Sequence, residues 1–454
     1  MATPPSPSTP TGLGSRRMSR FSEDFNTATT HGVPPRNRQF HNEREPLLHR
    51  RDLRITHRVN GPLKQFNPTR AHYNIIDEGE KGFHTESSPG VSFKWSSRNN
   101  RKGRHALQVD KARAAHAART ATAKHDLPKK TNQPAQIAHG IARMFTHFPV
   151  WDISYLVAVI FSLGSIVWVI NGFFAFLPLI RPSSEFRNEV LYGGGITAFV
   201  GATIFVIGSI LLLLEAVNDH RSGCFGWAVE HLFHGHSQSS GFQTSQVEKQ
   251  PDPEKAVTDP VVVRVHPVAP CDHHHSNRNN LVGSGADPVD VRKWRWMPSW
   301  KDLRTHYFRE LGFLASFVQL IAATIFWIAG FTSLPGIYDN MSTGLRDGVY
   351  WTPQIIGGSG FILSGALFMV ETQVTWWKPA PSVLGWHIGF WNLIGGIGFT
   401  LCPAFGYDAS SWAQYQASCS TFWGSWAFLI GSLIQWYESL DKHPVEFKDG
   451  DEEE

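Results

Sequence analysis

The clearest chemical signal in the sequence is a set of three glutamates, Glu215, Glu371 and Glu438. Each one closes an apolar stretch of about 20 residues, the length that crosses a bilayer core of ~30 Å. Each also follows the same spacing of small and aromatic residues. Gly201, Ala202, Phe205, Gly208 and Ser209 precede Glu215. Gly357, Gly358, Phe361, Ser364 and Gly365 precede Glu371, and Gly424, Ser425, Phe428, Gly431 and Ser432 precede Glu438. A carboxylate in the last turn of a helix opposes the macrodipole, at a cost of ~0.3–1 kcal/mol. An unfavourable placement repeated three times suggests a specific partner. Gln319, Asn392 and His387 fall at similar depth on neighbouring apolar stretches and are the candidates. The alternative is an interfacial carboxylate that reaches headgroup water or bonds a backbone amide of the next loop. The glycines Gly201, Gly208, Gly357, Gly365, Gly424 and Gly431 recur on one helix face, where small residues let helix backbones approach closely.

Other reactive types are placed differently. Cys402 and Cys419 bracket the last short connection between apolar stretches. A disulfide there suits an oxidising compartment, and two unpaired small hydrophobes are the alternative. Asn340-Met341-Ser342 is a glycosylation sequon. Histidines are dense between 218 and 311, from His220 to His306, but their spacing fits no structural zinc site, so a variable linker and no bound metal are expected. Glu43-Arg44-Glu45-Pro46-Leu47-Leu48 resembles acidic dileucine signals, with Glu43, Leu47 and Leu48 as its core, and implies clathrin-adaptor complexes as partners. There is no nucleophile elbow, HExxH or phosphate loop, so neither enzyme chemistry nor a cofactor is expected. No Asp, Glu, Lys or Arg lies centrally in an apolar stretch, which argues against ion-coupled transport.

These residues need elements to position them. The chain has 454 residues and a net charge of +4, and its mean hydropathy of -0.21 would suit a soluble protein. That mean joins two regimes. Residues 1–147 carry 25 Lys+Arg against 11 Asp+Glu, a formal +14, which leaves -10 for the rest. Six spans are expected near 153–177, 193–214, 312–333, 353–373, 384–405 and 420–437. Lys and Arg before the first and third spans place both termini and the 218–311 loop in the cytosol. Asn340, Cys402 and Cys419 then fall on the lumenal side. No signal peptide precedes the first span. Residues 1–147 read as a disordered basic tail, with one helix near 104–124. The cluster Arg292-Lys293-Trp294-Arg295-Trp296 reads as a lipid anchor rather than a nucleic-acid site. The 218–311 loop also reads as disordered, and residues 441–454 form an acidic tail.

A shift of 73 aligns Leu311-Gly312 with Leu384-Gly385 and Phe326 with Phe399. The expected fold is therefore all-α: six transmembrane helices as three antiparallel hairpin repeats over 148–217, 312–373 and 374–440. The runs Gly385–Gly395 and Ser432–Pro444 resemble fungal polytopic membrane proteins of unknown function, and the hairpins are similar to the YrhK-like two-helix unit. The resemblance implies a membrane protein but no activity. Two functions stay open: a pathway for small solutes or ions in the vacuolar or endosomal system, or a scaffold acting through its tails. Either form could oligomerise.

Overall fold

The computed structural model describes residues 53–55, 61–75, 91–104, 106–110, 130–219, 222–226, 228–229, 294–442 and 444–448. Its six long helices are α1 (Ile153–Ile180), α2 (Gly195–Val217), α3 (Leu311–Thr332), α4 (Thr352–Glu371), α5 (Leu384–Gly406) and α6 (Ser411–Leu440). All six are long and apolar enough to cross a membrane, so the chain is a polytopic membrane protein. The Asp152 side chain caps α1 by accepting from Ser154 N, and Ser410 caps α6 by accepting from Ala413 N. Single π turns, Glu189–Gly194 and Asp347–Trp351, lead into α2 and α4. The start of α6 lies well before the expected 420. Its polar first turns, with Gln414 and Gln416, give it the lowest hydropathy of the six helices and hide it from an apolar-run criterion.

Each helix packs on the next, and α6 closes back on α1, so the six form a ring. Aromatic side chains fill its axis in two layers. Trp168, Phe326 and Phe399 meet with ring centroids 4.9–5.7 Å apart. Phe205, Phe361 and Phe428 meet at 5.5–6.3 Å. Most of these pairs are tilted or edge-on, the arrangement that ring quadrupoles favour. The walls come close because of small residues. A Cβ on Gly365 would sit 2.6 Å from Leu393 N, and one on Gly357 would sit 2.8 Å from Ala322 O. On Gly424 it would meet Gly398 Cα at 3.1 Å, and on Gly431 Asn392 Nδ2 at 3.3 Å. On Gly201 and Gly208 it would press on the Trp168 and Phe161 rings.

The fold is not all-α, because part of the basic tail is β-structure. Strands β1 (Leu53–Ile55), β2 (Arg70–Ile75), β3 (Val91–Ser96) and β4 (Ala106–Asp110) form an antiparallel meander, and β5 (Val445–Lys448) adds to it in parallel beside β4. The helix expected near 104–124 is therefore a strand at its start. Pairing on both edges overrides local helix propensity there. Residues 111–124 lie outside the described residues. The β4–β5 pair also sets residues 106–110 beside residues 445–448, just past the end of α6. The helix Pro134–Thr146 packs on α6, with Met144 against Tyr437 and Leu440.

Asn171 links two helices, donating to Gly194 O at 2.6 Å and Thr197 Oγ1 at 3.0 Å. Pro178 and Pro403 lie in the last turns of α1 and α5. The expected lipid anchor is corrected in part. Trp294 of the expected lipid anchor is buried against Phe225, with centroids 5.6 Å apart, while Trp300 beyond it is exposed. The Asn218 side chain fastens this segment by accepting from Arg295 N and donating to Arg295 O, both at 2.8 Å.

Close helix contact through glycine gives a direct test. Replacing Gly365 with Val should cost about 1–3 kcal/mol through overpacking. Gly344→Ala should cost far less, because nothing lies within 4 Å of the added Cβ. Unfolding of the two variants in detergent checks this, and equal midpoints would remove close packing as the role of Gly365.

Candidate functional site

Glu215, Glu371 and Glu438 end three alternate helices of the ring, so their carboxylates converge at one mouth of the bundle. All three are buried, at 0, 2 and 1% exposure. They are not solvated at an interface. Nor are their partners Gln319, Asn392 and His387. The partners come from residues 97–104 of the basic tail.

The strand β3 delivers this segment. Ser96 ends the strand and caps the short helix Ser97–Arg101, its side chain accepting from Asn99 N at 3.1 Å. A turn through Gly103, with φ +60, then redirects the chain into Arg104. Only glycine adopts this region at little cost, and a Cβ here would also lie 2.5 Å from Ser222 Oγ. One helical turn and one left-handed residue thus aim four cations at three carboxylates.

The pairing is specific. Arg101 forms a two-point contact with Glu371, Nη1–Oε1 and Nη2–Oε2 both at 2.8 Å, and Ser97 Oγ adds a third bond at 2.9 Å. Arg98 Nη2 lies 2.5 Å from Glu438 Oε2. Arg104 Nη1 reaches Glu438 Oε1 at 2.9 Å, and its Nε donates to Asp441 O at 2.7 Å. Lys102 Nζ approaches Glu215 Oε1 at 3.3 Å, and Ser154 Oγ donates to the same oxygen. The planar guanidinium fork matches a carboxylate at two points, whereas an ammonium acts as one point charge. Glu215 accordingly keeps Oε2 without a partner.

Burial and pairing act in opposite directions on these cations. For Arg101, burial favours losing the proton, but the Glu371 charge and its hydrogen bonds outweigh that and raise the pKa. For Lys102 burial is the largest effect and lowers the pKa below the usual lysine value, with Glu215 opposing it. The carbonyl of Lys102 is held as well, accepting from Ser222 Oγ at 3.2 Å and from Lys442 Nζ at 2.8 Å.

The helices leave room for the inserted arginines. A Cβ on Gly312 would fall within 1.7 Å of Arg101 Nη1, and one on Gly385 within 2.2 Å of Arg98 Nε. These are the two glycines that the sequence shift of 73 superposes. In α1 the residue after the helix start is Ser154, which bonds Glu215 instead.

Below the inserted segment lies a cavity of about 30 Å³, room for a water or two. Arg98, Arg101, Lys102 and Glu215 roof it, and Phe161, Phe205 and Phe428 form its apolar wall. Gln319 and Asn392 line its side, so two of the three expected polar residues reach the site without touching a glutamate. Asn392 Nδ2 bonds its own helix at Ile388 O, 2.7 Å away. The His387 ring bonds Pro381 O at 2.8 Å, outside the site.

The remaining expected sites are separate. Cys402 and Cys419 are both free thiols. They lie within α5 and α6 rather than in a loop, because α6 begins before Cys419, so the expected disulfide is not formed. Asn340 is exposed on the α3–α4 connection, at the end remote from the glutamates. Glu43, Leu47, Leu48, Cys271 and every 218–311 histidine except His306 lie outside the described residues. Among the described residues no group of three or more His, Cys, Asp or Glu could hold a metal.

A scan against family models finds no match, and searches of curated proteins and of solved structures find none either.

Truncating one member of a buried pair strands the other charge, at about 3–5 kcal/mol. Arg101→Gln should therefore destabilise the fold strongly. Combining it with Glu371→Gln should cost less than the sum of the two single changes. A double-mutant cycle measured by unfolding checks the coupling, and additive effects would mean that the pair is not formed.

Proposed function

We propose that the protein is a membrane scaffold, built as three copies of a helical hairpin, that holds its own terminal segments on the cytosolic face. The reading rests on one observation above others. The mouth where the glutamates converge is occupied by residues 97–104, and the axis behind it is filled by two aromatic layers around a cavity of about 30 Å³. A solute route needs a wider and wetter axis.

The threefold hairpin reading is supported by the aromatic triangles. Phe205, Phe361 and Phe428 hold equivalent sequence positions and meet on the axis. The YrhK-like resemblance agrees with a two-helix unit. A cytosolic placement of both termini agrees with the β4–β5 pair and with the exposed Asn340 at the opposite end. The dileucine-like segment at Glu43, Leu47 and Leu48 then stands on the side where clathrin-adaptor complexes work, consistent with a vacuolar or endosomal address. Catalysis has no place in this reading.

Gln319 and Asn392 at the side of the cavity favour one second reading, a solute or ion pathway in which residues 97–104 are the gate. Flux separates the two. Full-length chain and an Arg98→Gln/Arg101→Gln/Lys102→Gln variant are reconstituted in vesicles, with proton, potassium and small-sugar leakage recorded. The scaffold reading expects no flux from either protein. Flux that appears in the variant alone would replace it with the gated pathway.

A further inference from the structure

The helix Pro134–Thr146 is used neither by the carboxylate site nor by the ring of spans. Ile137, Ile141 and Phe145 recur four residues apart and so lie on one face. They are exposed, Phe145 at 71%. The apolar exposure continues through Phe148, Val150 and Trp151 directly into α1, which begins at Ile153. Apolar exposure on one helix face that leads into a membrane span is the pattern of a helix that lies at a bilayer surface.

Behind this helix is a groove of about 530 Å³. Gln136, His139, Arg143 and His147 line one side, and Tyr437, Asp441 and Lys442 line the other. Residues 130–151 contain no carboxylate, but they contain Lys130, Arg143, His139 and His147. The acids that do face the groove are engaged. Asp152 pairs with Lys442 at 2.6 Å, and Asp441 pairs with Arg104 at 3.5 Å. Burial pushes the Asp441 carboxyl up, while the neighbouring Arg104 and Arg143 charges pull it down. Asp441 is bonded to Arg104, and Arg143 itself forms no ion pair among the described residues, so its guanidinium faces the groove with only that shared acid nearby.

We propose that this groove binds the headgroup of an anionic phospholipid, with Arg143 as its phosphate contact and the helix Pro134–Thr146 as its in-plane anchor. Charge complementarity and the continuity of the apolar face with α1 favour lipid over a soluble anion. The lipid's acyl chains lie along Ile137, Ile141 and Phe145 while the headgroup turns back over the helix to Arg143.

The test uses full-length protein in detergent, supplied with equal amounts of phosphatidylserine and phosphatidylcholine, and native mass spectrometry of the retained lipid. Wild type should retain phosphatidylserine preferentially. Arg143→Gln should lower that preference about fivefold, the effect of one basic residue at an anionic surface, and Arg143→Lys should keep most of it. Equal retention of the two lipids by wild type, or an unchanged preference in Arg143→Gln, would overturn the proposal. Loss of the preference in millimolar inorganic phosphate would overturn it too, by showing a site for free anions.

Discussion

Three carboxylates buried at a helix-bundle mouth cannot stay charged alone, and this constraint organises the molecule. Desolvating one such ion costs several kcal/mol even after relaxation. Each carboxylate also sits at the negative end of its own helix, which adds to the cost. Four cations from a single eight-residue segment answer both problems. The sheet then follows from the segment. Strands β3 and β4 flank residues 97–104 and fix its direction, and β5 ties the end of α6 to the same layer. What reads as a tail is the structural complement of the membrane domain.

The rest of the bundle is arranged around the same axis. Above are charges, and below them a small cavity with Gln319 and Asn392 at its side, whose apolar wall is the first of two aromatic layers. Glycine makes the sequence of layers compatible with tight walls. Gly312 and Gly385 admit arginine side chains between helices. Gly365 and Gly396 admit neighbouring backbones, with added Cβ atoms meeting Leu393 N at 2.6 Å and Ile362 N at 2.7 Å. The same residue type thus serves electrostatics at one level and packing at the next. Lys102 with Glu215 is the loosest of the three pairings, because the ammonium reaches only Oε1, at 3.3 Å, and Oε2 is left without a partner.

The six spans were legible because apolar length is read directly from sequence, and the three glutamates were legible because their spacing repeats. Their partners were not. Residues 98–104 lie in a stretch whose composition of Arg, Ser and Asn matches disorder, and composition is silent about a partner 340 residues away, as Arg98 is from Glu438. Two signals did exist. Arg98, Arg101, Lys102 and Arg104 set four cations within seven residues, close in number to the carboxylates. Gly312 and Gly385 marked equal positions where a side chain would obstruct. Gln319, Asn392 and His387 are the polar residues that the adjoining spans offer at that depth, and nothing in their spacing points to residues 98–104. The strand at Ala106–Asp110 was missed for a related reason, since β4 owes its form to β3 and β5 rather than to its own propensity. The free thiols of Cys402 and Cys419 turn on where α6 begins, the boundary that hydropathy places least well.

The separation of residues 97–104 from their carboxylates has a consequence for synthesis. The segment precedes all six described spans in the chain, yet one of its partners, Glu438, lies in α6, the last of the six. Loop closure over such a distance is late, so Arg98 and Arg104 can meet Glu438 only after α6 has been made. The complete set of pairs therefore requires all six helices in place. A chain that stops short of α6 leaves Arg98 and Arg104 without Glu438 and β4 without its outer strand. Such a product carries unpaired cations and an open strand edge, the kind of edge that templates pairing with another chain.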